Sequence, residues 1–99
     1  MTELRVRRRA RDQVRAIAGH LERERPGYGA LFLDAVEDAF RLIAEMPVSF
    51  PVVRERPDVR RGVLGRPFAK FVVYFTTNER SSTVLAVLHG ARHPETWTR

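Results

Sequence analysis

The side chains able to do chemistry gather in the last third of the chain. His89, Arg92 and His93 follow the apolar run Val84-Leu85-Ala86-Val87-Leu88, Arg66 and Lys70 precede the run Phe71-Val72-Val73-Tyr74-Phe75, and Arg60 and Arg61 lie just upstream. An imidazole titrates near pH 6.5 and can give or take a proton. Guanidinium and ammonium groups can hold the charge that builds on a phosphate during transfer. Together these types suit RNA cleavage, with His89 as acid or base and Arg60, Arg61, Lys70 and Arg92 as the cations. The same residues also have a structural reading, as a hydrogen-bonded histidine at a strand end and arginines on a solvated surface.

Other chemistries lack their residues. The sequence has no cysteine, which removes disulfides, thiolate metal sites and cysteine nucleophiles, and three separated histidines make a poor zinc set. No metal and no cofactor is expected. Phosphate-binding loops, dinucleotide fingerprints, nucleophile elbows and His-Glu-x-x-His motifs do not occur. The adjacent carboxylates Glu37 and Asp38 fall on the polar arc of a helix, where solvation accounts for them.

The elements that must position these groups follow from periodicity. Glu3-Leu4-Arg5-Val6-Arg7 alternates and predicts a short strand with Leu4 and Val6 inward. Val14, Ile17, Ala18 and Leu21 mark the apolar stripe of a first helix over Arg9 to Glu24, which Arg25-Pro26-Gly27 stops. The cluster Arg5, Arg7, Arg8, Arg9 and Arg11 could grip phosphates or simply be a solvated strand edge and helix start.

A second helix runs from Tyr28 to about Met46. Asp34, Glu37, Asp38, Arg41 and Glu45 share one narrow arc, and the apolar remainder is much wider than a surface helix needs against one neighbour. It must be covered from two sides or leave apolar surface for a partner. The short connection favours an antiparallel helical hairpin. Pro47 to Pro51 is too proline-rich for regular structure. Val52 and Val53 suggest a brief strand, Arg54 to Asp58 a charged loop, and Val59 to Leu64 a strand. After a turn at Gly65-Arg66-Pro67, the last two apolar runs form a β-hairpin closed by Thr77 to Ser82. The expected class is α+β in two layers: an N-terminal strand, a helical hairpin and a mainly antiparallel sheet of three to four C-terminal strands.

Composition bounds the rest. Ninety-nine residues, 43% of them hydrophobic, suit one domain over 1–99 with one core. No stretch reaches the roughly 18 apolar residues of a membrane span and no apolar leader follows Met1, so a soluble cytoplasmic protein is expected. Eighteen basic residues, all arginine but Lys70, oppose 12 acids, a formal charge of +6 that favours anionic partners, nucleic acid or an acidic protein segment. Base composition of the genome can produce the same bias.

The hairpin and its tail carry a family resemblance. Val72-Val73-Tyr74-Phe75, followed by Leu85-Ala86-Val87-Leu88-His89-Gly90-Ala91-Arg92-His93-Pro94-Glu95-Thr96-Trp97, resembles the RelE/ParE superfamily of type II toxin–antitoxin toxins, and the ParE branch most. The opening strand, Ala10 to Ile17, the helical hairpin and Val59-Arg60-Arg61 fit the same pattern, so the resemblance spans essentially the whole chain.

The resemblance implies two alternatives. RelE-like members cut mRNA on the ribosome with strand arginines, a post-strand arginine and often a C-terminal tyrosine. Here Phe71, Ala91 and Trp97 stand near those places, and none can supply phosphate charge or exchange a proton at neutral pH. Another nuclease branch pairs a histidine with an arginine and a glutamate, but Glu79 lies about 30 Å of extended chain from His89. ParE-like members instead poison DNA gyrase by protein–protein contact. The resemblance therefore implies a gyrase inhibitor, in hetero-oligomeric complex with a cognate antitoxin whose acidic, partly disordered C-terminal segment wraps the helical hairpin and sheet. Expected contacts are Leu31, Leu33, Phe40, Arg60, Arg66 and Trp97. A ribosome-dependent endoribonuclease using His89, Arg92, Arg60, Arg61 and Lys70 is the alternative.

Overall fold

The computed structural model of the protein describes residues 1–90. The chain runs β1 (Glu3–Val6), α1 (Arg8–Glu24), α2 (Tyr28–Glu45), a 3₁₀ turn (Pro47–Ser49), β2 (Val52–Val53), β3 (Arg56–Val63), β4 (Phe71–Thr77) and β5 (Ser81–His89). The five strands form one sheet in the order β1-β5-β4-β3-β2. β1 lies parallel to β5 and every other pair is antiparallel. This is the expected α+β class, with the helical hairpin packed on one face of the sheet. Among the described residues no helix is long and apolar enough to cross a membrane.

Two boundaries differ from the sequence reading. Pro47 to Ser49 does form regular structure, because proline at the first position of a helical turn lacks only an N–H that would be unpaired anyway. The charged stretch 56–58 is strand, the start of β3 rather than loop: β4 pairs with β3 only over Arg60–Val63, and the open end before it tolerates charges and a proline. Arg66 to Lys70 lies outside β4. There the chain turns through a cis Arg66-Pro67 bond and plants Phe68, 3% exposed, in the core.

The main core lies between helices and sheet. Ala10, Val14 and Ala18 of α1 and Phe32, Val36, Ala39 and Ile43 of α2 meet Val73, Phe75, Val84 and Val87 of the central strands. Phe68 sits against Tyr28 and Phe32, with ring centroids 5.1 and 5.4 Å away, and Phe32 continues the stack to Phe71 at 5.2 Å. A second cluster on the opposite face joins Val53, Val59, Val72, Tyr74, Leu85, Ala86 and Leu88.

That second face depends on a bulge. Tyr74 pairs with Ala86 but Phe75 pairs with Val84, so Leu85 is an extra residue on β5. The insertion resets the alternation, which puts Leu85 and Ala86 on one face while Val84 and Val87 both reach the helices.

Helix α2 starts at Gly27, which has a positive φ of 89° and no side chain to cap the helix. Glu22 of α1 does that work: its carboxylate accepts from the Gly27 N–H at 3.0 and 3.1 Å and from the Gly29 N–H at 3.1 Å. The helices touch closely at this end, where a Cβ on Gly29 would lie 2.6 Å from the Ala18 carbonyl oxygen. At the other end a hydroxyl chain ties the layers together. Fully buried Ser82 bonds Thr2 at 2.7 Å and Thr77 at 2.9 Å, and Thr2 donates to the Ala44 carbonyl from both its N–H and its hydroxyl.

Candidate functional site

The strand register separates the residues expected to form a catalytic group. His89 pairs with Phe71, whereas Arg60 pairs with Phe75 and Arg61 with Tyr74. Four residues along β4 is about 13 Å, and β3 to β5 is about 10 Å across the sheet. Arg60 and Arg61 also point to opposite faces, as neighbours on a strand must. Arg60 reaches the helical side and its Nη1 donates to the carbonyls of Phe50, at 2.6 Å, and Val48, at 3.4 Å, so it clamps the 3₁₀ turn to the sheet. Arg61 is exposed on the other face, beside Tyr74.

His89 lies where β5 passes α1. Its ring meets Phe71 edge-on at 5.6 Å and borders a cleft of about 760 Å³ with Gln13, Ile17, His20, Leu21 and Glu24. His20 and Glu24 form a 2.9 Å pair there, and the Gln13 side-chain oxygen accepts the Val87 N–H at 2.9 Å. No arginine or lysine is among the described residues lining this cleft. Lys70 is near in the chain turn, where its carbonyl accepts the Gly90 N–H, but its exposed side chain is not part of the lining. Of the five residues expected for a nuclease, Arg60 and Arg61 stand apart from His89, Lys70 lies in the turn beside the end of β5 that carries His89, and Arg92 lies outside the described residues. Among the described residues no group of three or more His, Asp or Glu side chains is placed to hold a metal ion. The carboxyl of Asp58 is held below its usual range by hydrogen bonds from Arg56, at 3.1 and 3.2 Å, on the far edge of the sheet.

A different surface stands out for binding. Leu31, 53% exposed, and Leu42, 46% exposed, line a groove of about 290 Å³ between α2 and the turn after β3, with Ala35, Phe50 and Phe68 completing its apolar wall. Val63, 54% exposed at the end of β3, borders the groove, but its side chain alternates with that of Leu64 and is turned to the other face of the sheet. Arg66 stands on one rim and Asp34 and Asp38 on the other. Apolar surface rimmed by charge is the usual form of a protein-binding patch.

The partner contacts expected from sequence divide here. Leu31 and Arg66 border this groove. Leu33, 45% exposed, projects from the opposite flank of α2, because two residues on a helix separate side chains by about 200°. Phe40 is half-buried against the main core, and Arg60 is engaged with the 3₁₀ turn. Trp97 lies outside the described residues. Leu42 of the groove was missed, though it could have been found, since eleven residues on from Leu31 is three helical turns on the same flank.

The comparisons agree with this architecture. The family model described as the ParE toxin of type II toxin–antitoxin systems, parDE, matches residues 4–94. No curated protein matches the chain. A solved structure described as the chromosomal ParDE TA system from P. aeruginosa superposes with a TM-score of 0.77 at 19% identity, covering 90% of this chain and 96% of that one.

Proposed function

The chain belongs to the ParE toxin family of type II toxin–antitoxin systems, and from that premise we propose that it acts in the cytoplasm as a non-enzymatic inhibitor of DNA gyrase, held inactive by a cognate antitoxin. The observation that carries the binding part is the α2 groove: three apolar side chains exposed or half-exposed along Leu31, Ala35 and Leu42, with Arg66 on its rim. An amphipathic antitoxin segment that folds as it binds would bury this surface, its apolar side filling the groove and an acidic side chain meeting Arg66. Association of such a segment is expected to give a hetero-oligomer.

The separation of Arg60, Arg61 and His89 supports inhibition by contact over phosphoryl chemistry. A transition-state phosphate needs its cations within hydrogen-bond reach of one point, whereas Arg60 and His89 are on strands separated by β4 and offset along it, and Arg61 points to the opposite face. Induced expression should arrest growth together with loss of negative supercoiling in a reporter plasmid, and the partner encoded beside the toxin should restore both. Arrest with supercoiling intact would contradict the reading.

A further inference from the structure

The cationic excess is not spread evenly. Arg5 on β1, Arg7 in the link to α1, and Arg8, Arg9, Arg11 and Arg15 on α1 are all exposed and all lie within eleven residues. Asp12 lies 3.9 Å from Arg15 and Glu3 3.7 Å from Arg5, and exposed pairs of this kind hold little energy. Helix α2 is the reverse, with Asp34, Glu37, Asp38 and Glu45 against Arg41 alone. The helical hairpin therefore has one basic and one acidic outer side.

The basic side is also apolar-poor. Every exposed large hydrophobic side chain except Met1 lies between Leu31 and Val63, so no aromatic or aliphatic anchor is exposed on β1 or α1 among the described residues. Protein interfaces need such anchors at their centre, and single-stranded nucleic acid is held by stacking on aromatic rings. Contact with duplex phosphates needs neither, only closely spaced cations. Arg8, Arg11 and Arg15 recur at helical spacing on the outer side of α1 over about 10 Å of axis, and Arg5 of β1 and Arg7 of the link add two more beside its start. This surface is separate from the groove at Leu31 and Leu42, so both can be occupied together.

We propose that the β1–α1 arginine surface binds the phosphate backbone of duplex DNA without reading its sequence, in the toxin alone and in its antitoxin complex. The inference stands apart from the gyrase reading: either can fail while the other holds. Fluorescence anisotropy with labelled duplexes of about 20 base pairs and unrelated sequences, from about 50 to about 200 mM salt, tests it. The expected result is binding equal across sequences, with log affinity falling against log salt at a slope of about −4 for four to five contacts. Arg8→Gln/Arg11→Gln should weaken binding by tenfold or more at low salt and flatten the slope by about 2. Arg54→Gln/Arg61→Gln removes the same charge from β3 and the turn before it, about 14 Å of sheet away, and should change affinity less than threefold. Circular dichroism should show both variants folded. Equal weakening by the two variants would reduce the effect to net charge and overturn the proposal. So would absence of binding at low salt, tighter binding of single strands than of duplex, or equally effective competition by polyglutamate.

Discussion

Glu22 shows how one side chain can hold two elements. Glycine at the start of α2 supplies the left-handed turn but no cap, so the three hydrogen bonds from Gly27 and Gly29 to Glu22 replace what a serine or aspartate would do locally. Glu22→Ala should cost about 1–2 kcal/mol in urea unfolding. Gly29→Ala should cost about 1–3 kcal/mol, because its Cβ would meet backbone that cannot turn aside; full stability in this variant would contradict the close helix contact. His89 has the opposite standing. It looks chemical in sequence, yet its ring packs on Phe71 and the described lining of its cleft offers no arginine or lysine. His89→Ala should therefore leave growth arrest within a few-fold of the parent in an induction assay, and complete loss of arrest in a protein that still folds would return it to candidacy as an acid or base.

At the scale of elements, α2 carries the surface proposed to meet the antitoxin. Its wide apolar arc was legible in the sequence, and so was the choice it posed between a second covering layer and a partner. The structure divides the arc: Phe32, Val36, Ala39 and Ile43 enter the core while Leu31 and Leu42 remain on one flank and Leu33 on the other. Leu31→Glu/Leu42→Glu should weaken antitoxin binding by 100-fold or more, about 3 kcal/mol, in titration calorimetry. Leu33→Glu should change it only a few-fold, and the reverse order would place the antitoxin on the other flank. What the sequence could not reveal were the features set by register. The Leu85 bulge, the start of β3 at Arg56 and the four-residue offset between His89 and Arg60 depend on how strands slide against one another, and alternation of apolar residues is indifferent to that offset.

For the molecule as a whole, the class, the helical hairpin and the hairpin strands could be read from periodicity and breakers, and the family from a degenerate motif spread over the chain. The candidate site was less legible. Residue types suggested catalysis because the strand-end histidine and the strand arginines look alike in chemistry, and the sheet offsets Arg60 from His89 across β4 and turns Arg61 to the opposite face. The net charge of +6 likewise hides its distribution, basic on β1 and α1 and acidic on α2. The central claim, inhibition of gyrase by contact and not by cutting RNA, is tested most directly by adding purified toxin to gyrase with relaxed plasmid and, in parallel, to ribosomes programmed with mRNA. Supercoiling should fall with toxin concentration and recover with antitoxin while the mRNA stays intact; unaffected gyrase at saturating toxin, with new cleavage at the ribosomal A site, would contradict the account.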